Sequence, residues 1–410
     1  MLVFGALLLV AVLLDDIAIR VRVPGILMVL VLGLLVENNL NEAGGGTSTL
    51  LSLEHANQIA QSGLILVLFF GGLTTNWSRV RNVIAPAARL ATLGVLLTAL
   101  LVGIVMVGLQ LASGEVKWPL LLPGSLFVGA MVSSTDASAV MALLRPLAGR
   151  LPVPLLDLIE TESSINDPMA VVLAQLALAL IVGEGVGPAL LITELVRQFL
   201  LGILLGFLGG SLISQLLIGR TSLNSGSMLP VVSLALLLVL SGGTSLMGGS
   251  PLLAAYVAGL VLGNSPVTDQ HVLAEAHASF AKMAELLLFL CMGLVVEPQD
   301  VVSAAFKALV LFLVMQVVRW LVVNALLLRT SFSQSERTFV CWCGLRGAVP
   351  IAMAIDAYAA NVSFGPQMPP LALGVVLLGL ITQGFALVPL AKKLGIASPF
   401  EPPASLANPP

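Results

Sequence analysis

The feature that most constrains this 410-residue chain is a succession of apolar runs, each roughly 20 residues long, from one end to the other. A helix needs about 20 apolar residues to cross the hydrocarbon core of a bilayer. Only 10% of the residues are charged, against about 25% in soluble domains. The chain is therefore predicted to be an all-α polytopic membrane protein. The same pattern excludes a nucleic-acid binder, a soluble enzyme and a membrane β-barrel, whose strands alternate in polarity.

Charged residues and Pro-, Gly- or Asn-rich points divide the chain into thirteen predicted transmembrane helices, numbered here as segments 1–13. They cover 1–19, 24–38, 56–73, 84–112, 119–144, 154–182, 189–218, 228–241, 249–264, 278–296, 301–328, 336–358 and 370–394. Segments 8 and 9 are short, and we expect four glycines to interrupt them, at 242, 243, 248 and 249.

The basic residues are distributed unequally between the two sides of the membrane if the N-terminus lies outside. Thirteen of the eighteen then belong to the cytoplasmic side: Arg20, Arg22, Arg79, Arg81, Arg89, Arg145, Arg150, Arg220, Lys282, Arg329, Arg337, Lys392 and Lys393. Lys117 and Lys307 lie outside, and Arg197, Arg319 and Arg346 fall within spans. Because cytoplasmic loops are rich in Lys and Arg, we expect an outer N-terminus, a cytoplasmic C-terminus and an odd number of spans.

The two halves of the chain resemble each other faintly. Segment 2 reads VPGILMVLVLGLLV and segment 9 reads SPLLAAYVAGLVLG, each with a proline near its start. If segment 7 is a linker, two six-helix repeats have inverted topology, which is typical of secondary transporters. The predicted division is a transmembrane domain at 1–394, with repeat one at 1–182, a linker helix at 189–218 and repeat two at 228–394. A short Pro-rich cytoplasmic tail follows at 395–410.

Segment 5 carries a polar cluster, SSTDAS (133–138), at the depth where a charge is most costly. A charge at the bilayer centre costs roughly 2.5–3.5 kcal/mol. Hydroxyl side chains compete with the helix for backbone hydrogen bonds, so we expect a break here. Hydroxyls packed against a neighbouring helix are the alternative, but the carboxylate of Asp136 favours a functional role.

Segment 6 carries a second cluster, ETESSINDP (160–168). Ser163 and Asp167 share one helix face, and Glu162 and Asn166 share another. The proline removes one helical hydrogen bond and leaves a carbonyl oxygen free. Carboxylate, hydroxyl, amide and carbonyl oxygens suit a small hard cation rather than a soft metal. A polar network that only joins segments 5 and 6 remains the alternative.

Segment 12 contains CGLRGAVP (343–350), in which two glycines and a proline surround one arginine and predict a second break. Arg346 needs an anion within the membrane, and Asp136, Glu162 and Asp167 are the candidates. By the proposed repeat, segment 12 is the counterpart of segment 5. Two broken helices are then expected to cross at mid-depth.

The remaining polar residues within the predicted spans give weaker evidence of a functional site. Glu194 and Arg197 are three residues apart and are expected to pair, while Arg319 can snorkel to the interface. Glu285 is expected at a cavity mouth or a helix interface. No role is assigned to the three histidines, which fall in loops or at helix ends. The three cysteines are expected to be buried free thiols, at 291, 341 and 343.

Together, STDASAV (134–140), ETESSINDPMAV (160–171) and CGLRGAVP (343–350) resemble the NhaP-type monovalent cation/proton antiporters of the Na+/H+ exchanger superfamily, most nearly the potassium/proton branch. The resemblance covers essentially the whole chain. It implies thirteen helices in two inverted repeats, with segments 5 and 12 broken. It also implies a core domain that moves against a dimerisation domain, a homodimer, and transport rather than enzymatic activity in a bacterial inner membrane.

The resemblance also implies roles for individual residues. The ion-binding set is Thr135, Asp136, Ser163, Asn166 and Asp167. Glu162 and Arg346 match a buried ion pair that holds the core domain together. No catalytic residue, no cofactor and no metal other than the transported cation is implied.

Two positions depart from the pattern of the family. Relatives often carry an acidic residue just before the glycines that end segment 3, where this chain has Phe70. An acid on the ion's path is therefore missing from that helix. Relatives also often continue into a cytoplasmic regulatory domain, whereas this sequence stops after its Pro-rich tail.

The mechanism expected from these residues is competition for one carboxylate, because Asp167 can hold a proton or a dehydrated cation but not both. Asn166 stands where a second acid would titrate, which favours electroneutral one-for-one exchange and a role in pH homeostasis. The sequence does not decide whether the transported cation is potassium or sodium, because selectivity depends on cavity size and field strength. The resemblance tilts the choice slightly toward potassium.

Three other functions were weighed against antiport. A sodium-coupled organic-solute symporter shares inverted repeats and broken helices, but only 5% of the residues are aromatic, which disfavours a large substrate pocket. A channel would give currents that saturate poorly. An intramembrane aspartyl protease would need a Gly-x-Gly-Asp motif, which neither Asp136 nor Asp167 has.

Overall fold

The computed structural model describes residues 2–21, 25–36, 38–41, 47–113, 121–182, 188–218, 228–266 and 270–398. Three predicted loop residues, Arg22, Lys117 and Arg220, and the tail beyond Ser398 lie outside these ranges. Within them the chain is almost entirely helical. The exception is a short antiparallel pair of strands, β1 (Asn39–Asn41) and β2 (Thr47–Thr49).

The helices follow the order of the predicted segments. They are α1 (Leu2–Val21), α2 (Gly25–Leu35), α3 (Leu53–Thr74), α4 (Trp77–Val80), α5 (Ile84–Arg89), α6 (Val95–Ser113), α7 (Leu121–Met131), α8 (Ala137–Leu144), α9 (Val153–Val182), α10 (Pro188–Leu217), α11 (Leu229–Leu246), α12 (Pro251–Gly263), α13 (Gln270–Val295), α14 (Pro298–Leu327), α15 (Gln334–Trp342), α16 (Ala348–Ala359), α17 (Met368–Gly379) and α18 (Phe385–Lys393). Single turns of π-helix, at 90–94 and 380–384, join α5 to α6 and α17 to α18.

In the described part of the chain, eight continuous helical stretches are long and apolar enough to cross a membrane. Shorter apolar helices, α2, α7, α8, α12 and α16, lie among them. This confirms the prediction of an all-α polytopic membrane protein. The cysteines are free and buried, as expected, at 291, 341 and 343.

The interruption expected in segment 8 is misplaced. Helix α11 continues through Gly242 and Gly243 to Leu246. An unbroken helix satisfies its own backbone hydrogen bonds, which lipid cannot do. The chain turns only at 247–250, where Gly248 has a φ of +75°, a conformation that glycine adopts without strain.

Segment 10 begins earlier than expected, because α13 starts at Gln270 rather than near 278. His277, expected at a helix end, is therefore inside α13, where its Nε2 lies 2.8 Å from the hydroxyl of Ser233. Lys282, counted with the cytoplasmic set, lies well inside α13. Its ammonium is 3.2 Å from Asp15 and 3.4 Å from Glu285, and these carboxylates compensate its charge within the span.

Helices α3, α12 and α10 approach each other closely along what we call the glycine seam (Gly72, Gly206, Gly210, Gly259 and Gly263), where each glycine faces the backbone of a neighbouring helix. A Cβ on Gly72 would lie 2.1 Å from the carbonyl oxygen of Tyr256, and one on Gly263 would lie 2.1 Å from that of Leu73. Small residues let membrane helices approach this closely.

Two buried apolar clusters flank the site described below. A small cluster joins α3, α10, α11, α12 and the start of α13, and includes Phe69, Leu237 and Leu262. We call α3, α10, α11 and α12 the scaffold. The larger cluster includes the inward faces of α7, α9, α14, α16 and α17, so the broken helices lie in the larger cluster.

The glycine seam generates a stability prediction with a matched control in the preceding residue. Gly72→Ala should lower the free energy of unfolding by about 1–3 kcal/mol, because the methyl group overlaps a backbone oxygen of α12. Gly71→Ala should leave it nearly unchanged, since nothing lies within 4 Å of a Cβ there. Thermal unfolding of the detergent-solubilised protein measures both. Equal midpoints for the two variants would contradict the close approach of α3 and α12.

Candidate functional site

The two segments with unusual composition are both interrupted. Segment 5 stops being helical at Met131 and resumes as α8 at Ala137. Segment 12 stops at Trp342 and resumes as α16 at Ala348. The first break lies in the hydroxyl-rich stretch and the second in the stretch around Arg346, where the sequence predicted them.

The two interrupted stretches bond directly to each other. The backbone N–H of Asp136 donates to the carbonyl oxygen of Leu345 at 2.8 Å. The guanidinium of Arg346 donates through Nη1 to the carbonyl oxygen of Ser134. A Cβ on Gly347 would lie 2.0 Å from Oδ2 of Asp136, so only glycine fits there. Each broken backbone thus satisfies polar groups of the other.

Asp136 caps the second half of its own segment. Its Oδ1 accepts from the backbone N–H of Ala139 at 3.0 Å and from the hydroxyl of Ser138 at 2.6 Å. A carboxylate at a helix N-terminus is stabilised by the exposed N–H groups and the helix dipole. Asp136 therefore fixes where α8 begins.

Three of the predicted site residues form a buried cluster between segment 5 and α9, in which Thr135 bonds to both of the others; we call it the triangle. The hydroxyl of Thr135 lies 2.9 Å from that of Ser163. The amide nitrogen of Asn166 donates to the Thr135 hydroxyl at 2.6 Å, and the Asn166 oxygen accepts from the Thr135 backbone N–H at 3.3 Å. The triangle positions the break against one face of α9.

Asp167 lies beside this triangle and is only half-buried. Its Oδ1 accepts a hydrogen bond from the hydroxyl of Ser134 at 2.5 Å. It also interacts electrostatically with Asp136 and Arg346. Three of the predicted site residues, Thr135, Ser163 and Asn166, therefore meet through side-chain hydrogen bonds. Asp167 joins them through Ser134, the residue before Thr135, and the backbone of Asp136 bonds to the second break. Ser134 was not in the predicted set, although its place in the hydroxyl-rich stretch indicated it.

The predicted partner of Glu162 was wrong. The carboxylate of Glu162 pairs with Arg319, with Oε1 2.8 Å from Nη1 and Oε2 3.2 Å from Nη2. Arg319 also donates to the carbonyl oxygen of Val340 at 3.2 Å. Both charged side chains are buried, so Arg319 does not snorkel. Arg346 makes no ion pair with Glu162 among the described residues.

The rotation of α9 explains the difference. The face of α9 that carries Glu162 and Asn166 turns toward α14, and a small cavity beside these two residues is also lined by Arg319. Gly344 leaves space for this arginine, because a Cβ there would lie 2.4 Å from its Nε. In the sequence, this glycine predicts a break in segment 12 and does not by itself indicate the space that it leaves for Arg319.

Arg346 is instead a fixed positive charge at the crossing. Its side chain is 1% exposed, with Nη1 on the Ser134 carbonyl and Nε 3.1 Å from the sulfur of Met315. Its Nη2 has no hydrogen-bond partner within the described ranges. The guanidinium also interacts electrostatically with the carboxyl group of Asp167.

The donor atoms that this arrangement offers are oxygens. Asp167 and Asp136 supply carboxylates, Thr135 and Ser163 supply hydroxyls, and Asn166 supplies an amide oxygen, all at the crossing of two broken helices. Oxygen donors suit hard cations. A carboxylate in such a place can bind either a proton or a small dehydrated cation.

Comparison with known proteins was informative at the level of the family. A profile of the family described as "Sodium/hydrogen exchanger, transmembrane" matches residues 5–393. The K(+)/H(+) antiporter NhaP2 of Shewanella oneidensis is 34% identical over 414 aligned residues, which cover 97% of this chain and 67% of that protein. The K(+)/H(+) antiporter NhaP of Alkalimonas amylolytica is 30% identical, again over 67% of its length.

More distant matches agree in fold. The Na(+)/H(+) antiporter ApNhaP of Aphanothece halophytica is 29% identical over 80% of this chain and 63% of its own. The structure of the sodium proton antiporter MjNhaP1 of Methanocaldococcus jannaschii superposes with a TM-score of 0.81 at 20% identity, covering 95% of this chain and 97% of that one. The chain spans about two thirds of the length of the first two curated relatives.

The fold and the site are those of an integral membrane protein in which two interrupted helices cross beside half-buried carboxylates. Because the family profile covers nearly the whole chain, this chain belongs to the transmembrane sodium/hydrogen exchanger family. The resemblance noted in the three motifs is confirmed.

The ion pair of Glu162 generates a double-mutant prediction. Glu162→Gln leaves the buried charge of Arg319 unpaired, and should destabilise the protein by about 3–5 kcal/mol. Glu162→Gln and Arg319→Gln together should cost less than the sum, with a coupling of about 0.5–3 kcal/mol. The midpoint of thermal unfolding in detergent measures the cycle. Coupling of Glu162 to Arg346 in a parallel cycle, and none to Arg319, would overturn the assigned pair.

Proposed function

We propose that this protein is a secondary active antiporter that exchanges a monovalent cation, K+ or Na+, for H+ across the membrane. The observation that carries the proposal is the position of Asp167: a half-buried carboxylate hydrogen-bonded to the break of segment 5 and adjoining the oxygen-lined triangle. A proton and a cation cannot both bind its oxygens, so binding of one displaces the other.

The proposed cycle moves α9 and the broken helices together. When Asp167 carries a proton or a cation, the loaded site is less charged and can move past the scaffold; when it is empty, its charge resists burial. Thr135, Ser163 and Asn166 hold the break against α9, so that the site travels as one unit. Asp136 supplies a second carboxylate whose charge is already engaged at the start of α8.

We infer that the exchange is electroneutral, with one proton for one cation. Of the two acids at the crossing, Asp136 caps α8 and only Asp167 is free of such a duty. Asn166 beside it cannot titrate. A single titrating group that holds one cation or one proton carries the same charge in both directions.

The finer architecture belongs to the same proposal. Thirteen spans in two inverted repeats, at 1–182 and 228–394 with a linker helix at 189–218, fit the order of the described helices. We further propose an outer N-terminus, a bacterial inner membrane and a homodimer with its own dimerisation domain.

The names of the relatives support both K+ and Na+ as cargo, and those at 30–34% identity favour K+. The organic-solute symporter is not favoured.

The assignment of Asp167 is tested in everted vesicles that carry a pH-sensitive dye. Addition of K+ or Na+ should dequench the dye with the wild-type protein, and Asp167→Asn should abolish the response because an amide cannot hold the proton. Glu194→Gln is the control. It also converts a carboxylate to an amide, but it removes only the exposed pair with Arg197, and should keep the response. Exchange by Asp167→Asn would contradict the assignment.

Titration with Na+, K+ and Li+ at several pH values gives the selectivity for the cation. A net current in liposomes would refute electroneutral exchange.

Two adjacent serines separate a binding role from a structural one. Ser163→Ala removes a hydroxyl that contacts Thr135, and should raise the KM for the cation by about tenfold, the effect of one lost ligand to a charged group. Ser164→Ala should leave the KM within about twofold, because that hydroxyl bonds only to the Glu160 carbonyl oxygen at 2.8 Å. Initial rates of dequenching across cation concentrations give both values. Equal KM values for the two variants would contradict a role of Ser163 in the site.

A further inference from the structure

A second polar region lies where α3 ends and α9 begins, well away from the ion site. A small cavity there is lined by Thr74, Thr75, Asn76, Arg79, Val80, Asp157, Glu160 and Thr161. None of these residues hydrogen-bonds to the triangle or to Asp167 in the described structure. The cavity contains one ion pair, between the guanidinium Nη2 of Arg79 and Oδ1 of Asp157.

Arg79 belongs to the scaffold side of this cavity. It lies on α4, and the turn before α4 is held by Asn264 at the end of α12. The Asn264 side chain accepts from the backbone N–H of Trp77 at 2.8 Å and donates to the carbonyl oxygen of Thr75 at 2.8 Å. Asn264 follows directly after the last glycine of the seam, so the first residue of α4 is tied to the pair of helices that pack most closely, while α4 also packs against α9.

Asp157 belongs to the other side. It lies on α9, ten residues before Asp167, which is about 15 Å along a helix. The same helix carries Ser163 and Asn166, which hold the break of segment 5. Any movement of the ion site therefore moves Asp157 relative to Arg79.

The ion pair between Arg79 and Asp157 can exchange partners. The Asp157 side chain is 9% exposed and that of Arg79 is 58% exposed, and an ion pair with one solvated partner is weak and exchangeable. Among the described residues it is the one ion pair that joins α9 to α4 or the scaffold. Glu160 lies one turn further along α9 and interacts electrostatically with Arg79. Its carboxylate can therefore replace that of Asp157 as the partner of Arg79 when α9 shifts.

We propose that Arg79 is a latch between the moving and the fixed parts of the antiporter, paired with Asp157 in the described state and passed to Glu160 when α9 moves. This inference rests on the proposed function. Slippage of one element past another by about one helical turn is a known form of switching, and two carboxylates three residues apart match that step. Arg79 is thus a positioning residue for transport and does not bind the cation.

Cross-linking tests whether the two sides separate. The double variant Arg79→Cys/Asp157→Cys is reconstituted and treated with a short bis-methanethiosulfonate reagent. We expect cross-linking to block exchange and a reductant to restore it. The control, Thr75→Cys/Asn264→Cys, bridges two residues on the scaffold side at the same end of the bundle, and should keep its exchange when cross-linked. Treated single-cysteine variants report any effect at the buried native cysteines.

The outcomes separate this inference from the proposed function. Exchange that persists after cross-linking of positions 79 and 157 would overturn the latch alone. A wild-type protein without cation-dependent dequenching would count against the antiport itself.

A kinetic comparison extends the test without cysteines. Arg79→Gln should lower the maximal rate by about two- to fivefold, the range for one exposed ion pair, and leave the KM for the cation unchanged. Arg81→Gln, which removes a neighbouring charge without an ion pair in the described structure, should change neither. Arg79→Lys, which keeps the charge, should restore most of the rate. Identical kinetics for Arg79→Gln and Arg81→Gln would overturn the proposal.

Discussion

The crossing of two interrupted helices is the constraint on which the rest of this structure depends. Backbone N–H and C=O groups released inside a membrane have no water to bond to, so each break must find partners within the protein. Here the partners are largely the other break and the side chains beside it. The N–H of Asp136 bonds to Leu345, and the guanidinium of Arg346 bonds to the Ser134 carbonyl. These bonds between the two breaks supply partners that lipid could not supply.

The location of the site could be predicted from sequence because its signals are local. Hydroxyl-rich and glycine-rich stretches break helices whatever surrounds them, and spacing places Ser163 and Asp167 on one face of α9. The contact of Thr135 with Ser163 then follows from bringing the first break against that face, whereas its contact with Asn166 reaches the neighbouring face of α9. The role of Asp136 as the cap of α8 also follows the general preference for Asp at helix starts.

The partner of Glu162 could not be predicted in the same way. It depends on how α9 is rotated about its axis relative to α14, and that rotation is set by packing across more than 150 residues of chain. Both arginines were available, and spacing along the chain does not choose between them. Similar reasoning applies to Lys282, whose charge indicated the cytoplasm but whose two carboxylate neighbours come from helices α1 and α13.

The glycine seam has a consequence for how variants of this protein should be interpreted. Where helices touch through backbone, there are few side chains that can change rotamer to absorb a displacement, and the joint transmits force as a stiff element. If the scaffold bent, part of the movement of α9 would deform the scaffold and would not carry the ion site past it. Substitutions in the seam should therefore appear in a transport screen as slow carriers with intact ion affinity, and a map of such positions would trace the mechanical frame of the protein rather than the route of the ion.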